Sequence, residues 1–198
     1  MEEKPILSLC IVGACLTRLI SVLFSTFLIL WIQQFAEKGI IESKEAGKII
    51  YMNMMIYSVA VSALVFPIIG KCCDMVDPKK TVPFAFFFRA MTTYLFSTLD
   101  SPDSMRSYGV CVLMILSSII ENISVDSIFN KNLPKETRGV LMGLYSCAGQ
   151  FGVLCFSLIA GSLFDNVGSG SPFVFLGILD FAFALITIAF GFKYDFTS

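Results

Sequence analysis

Long apolar segments alternate with short polar ones along the whole chain. Each segment has about the 20 residues that a helix needs to cross roughly 30 Å of hydrocarbon. Backbone polar groups find no water in that layer, so we expect each segment to be helical. The pattern predicts six spans, at residues 6–32, 49–69, 81–99, 107–129, 139–163 and 172–192.

The composition is typical of a protein that lipid surrounds. Of the 198 residues, 56% are hydrophobic and 15% are charged, and the mean hydropathy is +0.81. A soluble domain has roughly 25% charged residues. We therefore expect an all-α membrane protein with six transmembrane helices in a single domain over residues 1–198. A twelve-helix fold needs about 240 residues for its spans alone, so this length accommodates one half of such a fold.

The composition also excludes several functions. The chain has no histidine, which excludes Ser-His catalysis and histidine-ligated haem. Its net charge of −1 provides no basic surface for nucleic acid. The seven cysteines include no Cys-x-x-Cys pair, and we interpret them as small apolar residues. We expect no catalytic residue, no metal and no cofactor, and hence no enzyme.

Polar side chains inside the predicted spans mark a candidate site. A charge in mid-bilayer costs at least about 2.5–3.5 kcal/mol, so it must pair or face a wet cavity. Arg18 lies on a small and polar stripe of the first span, and Glu121 and Asn122 lie on the fourth, the most polar span. These three residues predict either a path for a substrate or coupling ion, or an ion pair that only fixes packing. Ser118 belongs to the same path, and Gln150 lines it or bonds across helices.

Two further charges occupy equivalent places in the third and sixth spans. Arg89 and Asp180 lie near the middles of these spans, at depths that differ by about 4 Å. We expect them to form a structural intramembrane pair. Asp126 lies towards the end of the fourth span, where a charge is less informative.

The fifth span carries small residues at helical spacing, in Gly139-x-x-x-Gly143 and Ala148-x-x-x-Gly152. Small residues four apart let two helix backbones approach closely. The spacing therefore predicts a close helix contact without identifying the partner helix.

The ends of the second and fifth spans are alike. Each has a glycine, three residues and an aspartate, at Gly70–Asp74 and at Gly161–Asp165. The two matches follow the second helix of each three-helix set but fall on opposite sides of the membrane. This placement predicts two inverted three-helix repeats.

Basic residues lie mainly on one side of the predicted membrane. Eight Lys and Arg residues fall on the side of the two termini, and four fall on the other side. By the positive-inside rule, both termini of this multi-pass protein face the cytoplasm, or the matrix if the membrane is mitochondrial.

Two loop segments resemble motifs of the major facilitator superfamily. Residues 70–80 match its loop motif at four positions, which are Gly70, Asp74, Lys79 and Lys80. Met75 replaces the basic residue that usually follows the aspartate. Residues 133–139 resemble the loop that opens the eleventh helix of such transporters, and residues 149–152 fit the helix that follows.

The resemblance implies one six-helix half of a twelve-helix fold, more similar to the C-terminal half and built from inverted repeats. The first and fourth helices of such a half line the central cavity, which puts Arg18, Glu121 and Asn122 beside a substrate path. The resemblance also implies a conformational latch between helix ends. Its residues are Gly70, Asp74, Lys79, Lys80 and Arg138.

Two functions are consistent with these features. The first is a transport module for a small solute, acting with a second six-helix half or as a homodimer. The alternative is a non-transporting structural or accessory subunit of a larger membrane complex, derived from a transporter half. Both need a protein partner besides the lipid bilayer, because a lone half would expose Arg18 and Glu121 to lipid.

Overall fold

The computed structural model describes residues 5–193, apart from the side chains of Asp74, Pro78 and Lys193. Within this range the chain forms six helices and no strand. The helices are α1 (Pro5–Glu37), α2 (Lys44–Met75), α3 (Pro78–Ser97), α4 (Met105–Asn132), α5 (Arg138–Asn166) and α6 (Ser171–Lys193). Each coincides with one of the six apolar segments, and most extend beyond it into the flanking polar residues.

Side-chain caps start three of the helices. Ser43 and Ser104 each accept a hydrogen bond of 3.1 Å from the backbone N–H three residues later, at the starts of α2 and α4. Asp77 caps α3, where Pro78 takes the first position and its missing N–H costs nothing. The turn after α1 contains Gly39 at a φ of 73°, which glycine adopts without strain.

Five of the six helices are long and apolar enough to cross a membrane; these are α1, α2, α4, α5 and α6. The exception is α3, whose 20 residues include Arg89 and several threonines. This helix packs against both α4 and α6, and Arg89 is fully buried. The polar groups of α3 are therefore directed at other helices instead of at lipid.

Helix α1 is interrupted near its middle. It breaks at Arg18, and a π-helical turn follows at Leu23–Phe27. At the break, the carbonyl oxygen of Arg18 accepts hydrogen bonds from the backbone N–H of Ser21 at 3.2 Å and from its hydroxyl at 2.6 Å. Interruptions of this kind are frequent at functional sites.

Two apolar clusters fill the bundle, one towards each end. The first includes Trp31, Phe96 and Phe173, and the second includes Phe129 and Phe183. Helices α1, α3, α4, α5 and α6 contribute to both clusters. On α1, α3, α4 and α6, buried polar residues lie between the two apolar groups. We call this band the polar layer; its buried residues are Thr17, Arg89, Thr92, Thr93, Ser117, Ser118, Glu121, Ser124 and Asp180.

The remaining two helices flank this centre. Helix α5 packs along α1, and α2 packs along α4 and the C-terminal part of α1. Both α2 and α5 leave large apolar side chains exposed along most of their length. Their outer faces are therefore suited to contact lipid or another protein.

Candidate functional site

Arg89 lies at the centre of the polar layer and contacts three other helices. Its Nε donates to Asp180 Oδ2 at 2.7 Å, and its Nη2 donates to Asp180 Oδ1. The same Nη2 donates to the backbone carbonyl of Leu16 at 3.0 Å. Its Nη1 forms an ion pair with Glu121 Oε2. One fully buried guanidinium thus joins α1, α3, α4 and α6.

The predicted pair of Arg89 and Asp180 is present, but Glu121 has a different partner from the one predicted. It contacts Arg89 instead of Arg18, and its place on a path with Arg18 and Asn122 stays a prediction. Glu121 and Asn122 are adjacent in sequence and therefore point about 100° apart around α4. The face of Glu121 is directed at α3 and α6, where a buried arginine requires counter-ions.

The polar layer holds two carboxylates and one guanidinium. Asp180 receives two hydrogen bonds from Arg89, whereas Glu121 Oε1 is buried with no hydrogen-bond partner in residues 5–193. The hydroxyls of Thr92 and Ser117 lie 3.2 Å apart in the same layer. Glu121 is therefore the least compensated of the three charges.

The contact with Leu16 links the polar layer to the break in α1. In a continuous helix, the carbonyl of residue 16 would accept from the N–H of residue 20. Here it accepts from Arg89, and the helix breaks two residues later at Arg18. The buried guanidinium thus satisfies a backbone carbonyl where the regular pattern of helix hydrogen bonds ends.

Beyond the break, Arg18 lines a polar cavity of about 390 Å³ between α1, α4 and α5. Its polar lining includes Arg18, Ser21, Asn122, Asp126, Tyr145 and Gln150. The cavity thus brings together three residues of the predicted path, Arg18, Asn122 and Gln150. Ser118 is not part of the lining, and its buried hydroxyl donates to the carbonyl of Ile115 at 2.9 Å.

Two glycines of α5 bring that helix close to α1. A Cβ at Gly149 would overlap the Arg18 side chain and lie 2.5 Å from its Nε. A Cβ at Gly152 would lie 2.8 Å from the carbonyl oxygen of Cys15. The Cys15 thiol also donates to the carbonyl of Ala148 at 3.0 Å. The close contact predicted at Ala148-x-x-x-Gly152 is therefore made with α1, whereas a Cβ at Gly139 or Gly143 would meet nothing within 4 Å.

Tyr145 and Asp126 are among the cavity residues outside the predicted path, and they bind each other. The Tyr145 hydroxyl donates to Asp126 Oδ1 at 2.7 Å, and the tyrosine ring stacks on Phe129 with centroids 4.2 Å apart. A sequence signal for Asp126 did exist, because it lies one helical turn after Asn122 on the same face of α4. Tyr145 carried no comparable signal within the apolar fifth span.

A second cavity follows the first along the contact between α1 and α5. It has a volume of about 270 Å³, and its lining includes Thr26, Ser157 and Asp165. The first cavity lies beside residues 17–21 of α1 and the second beside residues 22–30. Polar space thus extends from the middle of the bundle towards the C-terminal ends of both helices.

The residues of the predicted latch lie at helix ends. Gly70 is near the end of α2, Lys79 and Lys80 are in the first turn of α3, and Arg138 begins α5. The side chain of Asp74, the central residue of the motif, lies outside the described residues. The latch therefore stays a prediction.

Other parts of the molecule offer less chemistry. A groove of about 470 Å³ between the end of α2 and α3 is lined mainly by apolar side chains, with Lys80 among them. Among the described residues, no group of three or more Cys, Asp or Glu side chains could hold a metal ion. The cavity at Arg18 is therefore the candidate site.

Long apolar helices around a buried charged layer define an integral, multi-pass α-helical membrane protein. The model of the Major Facilitator Superfamily matches residues 10–196. Because the match covers nearly the whole chain, the chain belongs to this superfamily of membrane transporters, as the loop motifs indicated. No curated protein and no solved structure matches the chain.

Proposed function

We propose that this chain is a transport module that moves a small solute through the polar cavity at Arg18. The observation that carries the proposal is a cavity of about 390 Å³ with charged and amide side chains, inside a bundle that lipid surrounds. Charged groups within a membrane are costly and usually mark a substrate or ion pathway unless they are paired. Arg89 and Asp180 are paired, whereas Arg18 forms no ion pair within residues 5–193.

Membership of a superfamily of transporters supports the same conclusion. The second cavity supports it as well, because it extends the polar space along the α1–α5 contact towards one end of the bundle. A solute bound near Arg18 would have a route of polar side chains through Thr26 and Asp165.

We further propose that the six helices are two inverted repeats, α1–α3 and α4–α6. Reciprocal helix contacts support this symmetry, because α1 packs on α5 as α4 packs on α2. The third helices of the two sets, α3 and α6, pack on each other. In transporters built this way, one bundle rocks against another around a site near the middle of the membrane.

The exposed face of the cavity supports a partner in the membrane. Ser21, Asp126 and Gln150 are exposed, and lipid would solvate them poorly. We propose that a second six-helix half covers them, either a second copy of this chain or a different polypeptide. The basic residues favour an orientation with both termini on the cytoplasmic or matrix side.

The alternative is an accessory subunit of a larger membrane complex. The apolar residues exposed on α2 and α5 favour this role as much as they favour a facing half, because any protein partner could cover them. The two functions differ in one respect. A transport module requires an intact cavity for solute flux, whereas a subunit requires only the surface that binds the complex.

Uptake by reconstituted protein tests the proposal. The chain is purified gently with whatever co-migrates, placed in liposomes and assayed for uptake of a broad panel of solutes. We expect Arg18→Gln to abolish uptake of the transported solute at normal abundance. Lys44→Gln is the matched control, because it removes a charge from an exposed ion pair with Glu37. If no solute of the panel is taken up, the accessory role is favoured instead.

A further inference from the structure

The cavity at Arg18 contains one positive and one negative side chain that form no ion pair with each other. Asp126 accepts a hydrogen bond from the Tyr145 hydroxyl at 2.7 Å. Neither Asp126 nor Arg18 forms an ion pair with any other residue in the described range. Both line the same space of about 390 Å³. The cavity therefore presents two opposite charges to whatever enters it.

The two charges come from different helices, and both side chains are held against α5. Arg18, on α1, lies across Gly149 of α5, where a Cβ would collide with it. Asp126, on α4, accepts a hydrogen bond from Tyr145 of α5, whose ring stacks on Phe129. A ligand in the cavity therefore meets opposite charges that two different helices supply.

The lining between the charges suits a ligand with both donors and acceptors. Asn122 and Gln150 carry amide groups, which donate through nitrogen and accept through oxygen. The formal charges of Arg18 and Asp126 cancel, so a simple anion or cation would leave one of them uncompensated. In a membrane interior, such an uncompensated charge is disfavoured.

We propose that the cavity binds a small zwitterion of the amino-acid type, with its carboxylate at Arg18 and its ammonium group at Asp126. This inference rests on the proposed transport function and names the class of solute. A volume of about 390 Å³ lies at the small end of the range of roughly 300–1,000 Å³ typical of ligand pockets. A single small molecule of this class compensates both charges at once.

Matched ligands test the inference directly. The full chain, purified with its co-migrating partners and placed in lipid nanodiscs, is screened by thermal unfolding against the common L-α-amino acids and glycine betaine. Each zwitterion that raises the unfolding temperature is compared with two analogues of similar size. One analogue lacks the ammonium group and the other lacks the carboxylate, as propionate and ethylamine do for alanine.

We expect at least one zwitterion to bind, and both of its single-charge analogues to bind about tenfold more weakly or worse, since each loses a charge-assisted contact. Arg18→Gln should weaken the zwitterion and the carboxylate analogue but leave the amine analogue unchanged. Asp126→Asn should do the reverse. This crossed pattern requires contact with the ligand, so a general loss of structure would not produce it. Lys44→Gln again serves as the charge-removal control.

Three results would overturn the inference. If a single-charge analogue binds as tightly as its zwitterion, the cavity selects one charge, and transport of an anion or cation still supports the proposed function. If no zwitterion binds although uptake of another solute depends on Arg18, the two charges are compensated by the facing half. If uptake and binding are both absent for every solute, the proposed transport function fails as well.

Discussion

At the scale of single residues, two arginines in the middle of the bundle have opposite surroundings. Arg89 is fully buried and touches two carboxylates and a backbone carbonyl. Arg18 is half-buried, lies across a glycine and has no carboxylate partner among residues 5–193. The first arrangement holds four helices together, and the second leaves a charge available to a ligand.

The balance of charge around Arg89 leads to the first prediction. Arg89→Met leaves two uncompensated carboxylates in the polar layer and should destabilise the protein by about 3–5 kcal/mol. Glu121→Gln removes the excess negative charge and keeps a side chain of the same shape, so stability should be unchanged or higher. Unfolding can be followed with a thiol-reactive dye, because Cys10 and Cys111 are buried. Equal losses in both variants would contradict this account.

A second prediction concerns Gly149. Gly149→Ala should displace the Arg18 side chain and lower solute binding or uptake about tenfold, as expected for one charge-assisted contact. Stability should change little, because the main collision is with a flexible side chain. Gly143→Ala on the same helix is the control, since a Cβ there meets nothing within 4 Å. Normal uptake by Gly149→Ala would show that Arg18 does not act from this position.

At the scale of helices, the sequence was sufficient to locate each element but not to orient it. Length and hydropathy predicted a helix at each of the six apolar segments, because lipid requires every backbone group to bond within its own helix. The partner of each charge depends on how a helix is rotated within the bundle. Depth along the helix axis favours Glu121 as a partner for Arg18. Glu121 and Asn122 point about 100° apart around α4, and Asn122 is the one that lines the cavity with Arg18.

The same limit explains what was missed at the cavity. Arg18, Asn122 and Gln150 were identified because polar groups in apolar segments need a reason to be there. A position near a span end makes a charge such as Asp126 less informative, although its spacing from Asn122 places both on one helix face. No proline or glycine pair at Arg18 predicts the break in α1 from the sequence. In the structure, a hydrogen bond from Arg89 to the carbonyl of Leu16 accompanies the break.

The third prediction tests the packing of α1 on α5. Gly152→Ala places a methyl group 2.8 Å from the carbonyl oxygen of Cys15, which is backbone and moves only with its helix. We expect a loss of about 1–3 kcal/mol through overpacking. Gly161→Ala, where a Cβ meets nothing within 4 Å, should instead gain up to about 1 kcal/mol from helix propensity. Thermal unfolding of the two variants in one lipid mixture checks the difference in sign.

At the scale of the whole molecule, the six helices differ in how much apolar surface they expose to lipid or to a protein partner. Helices α1, α3, α4 and α6 meet in the polar layer, whereas α2 and α5 flank it with exposed apolar faces. The cavity lies between α1, α4 and α5, and its residues Asp126 and Gln150 are exposed. We expect a facing half to contact the exposed faces of α2 and α5 and to cover these polar residues.

The last prediction separates a facing half from a larger complex by the position of the contacts. A photo-crosslinking amino acid at Leu64 on α2 or at Leu158 on α5 should form adducts with protein in native membranes, because both side chains are exposed on the flanking helices. The same probe at Met91 on α3 or at Leu185 on α6 should react with lipid, because both side chains are exposed and the proposed facing half would not cover α3 and α6. Protein adducts of twice the chain mass from α2 and α5 alone would identify a second copy as the partner. Adducts from all four positions would mean that protein surrounds the chain, which is the arrangement of an accessory subunit and not of a transport module.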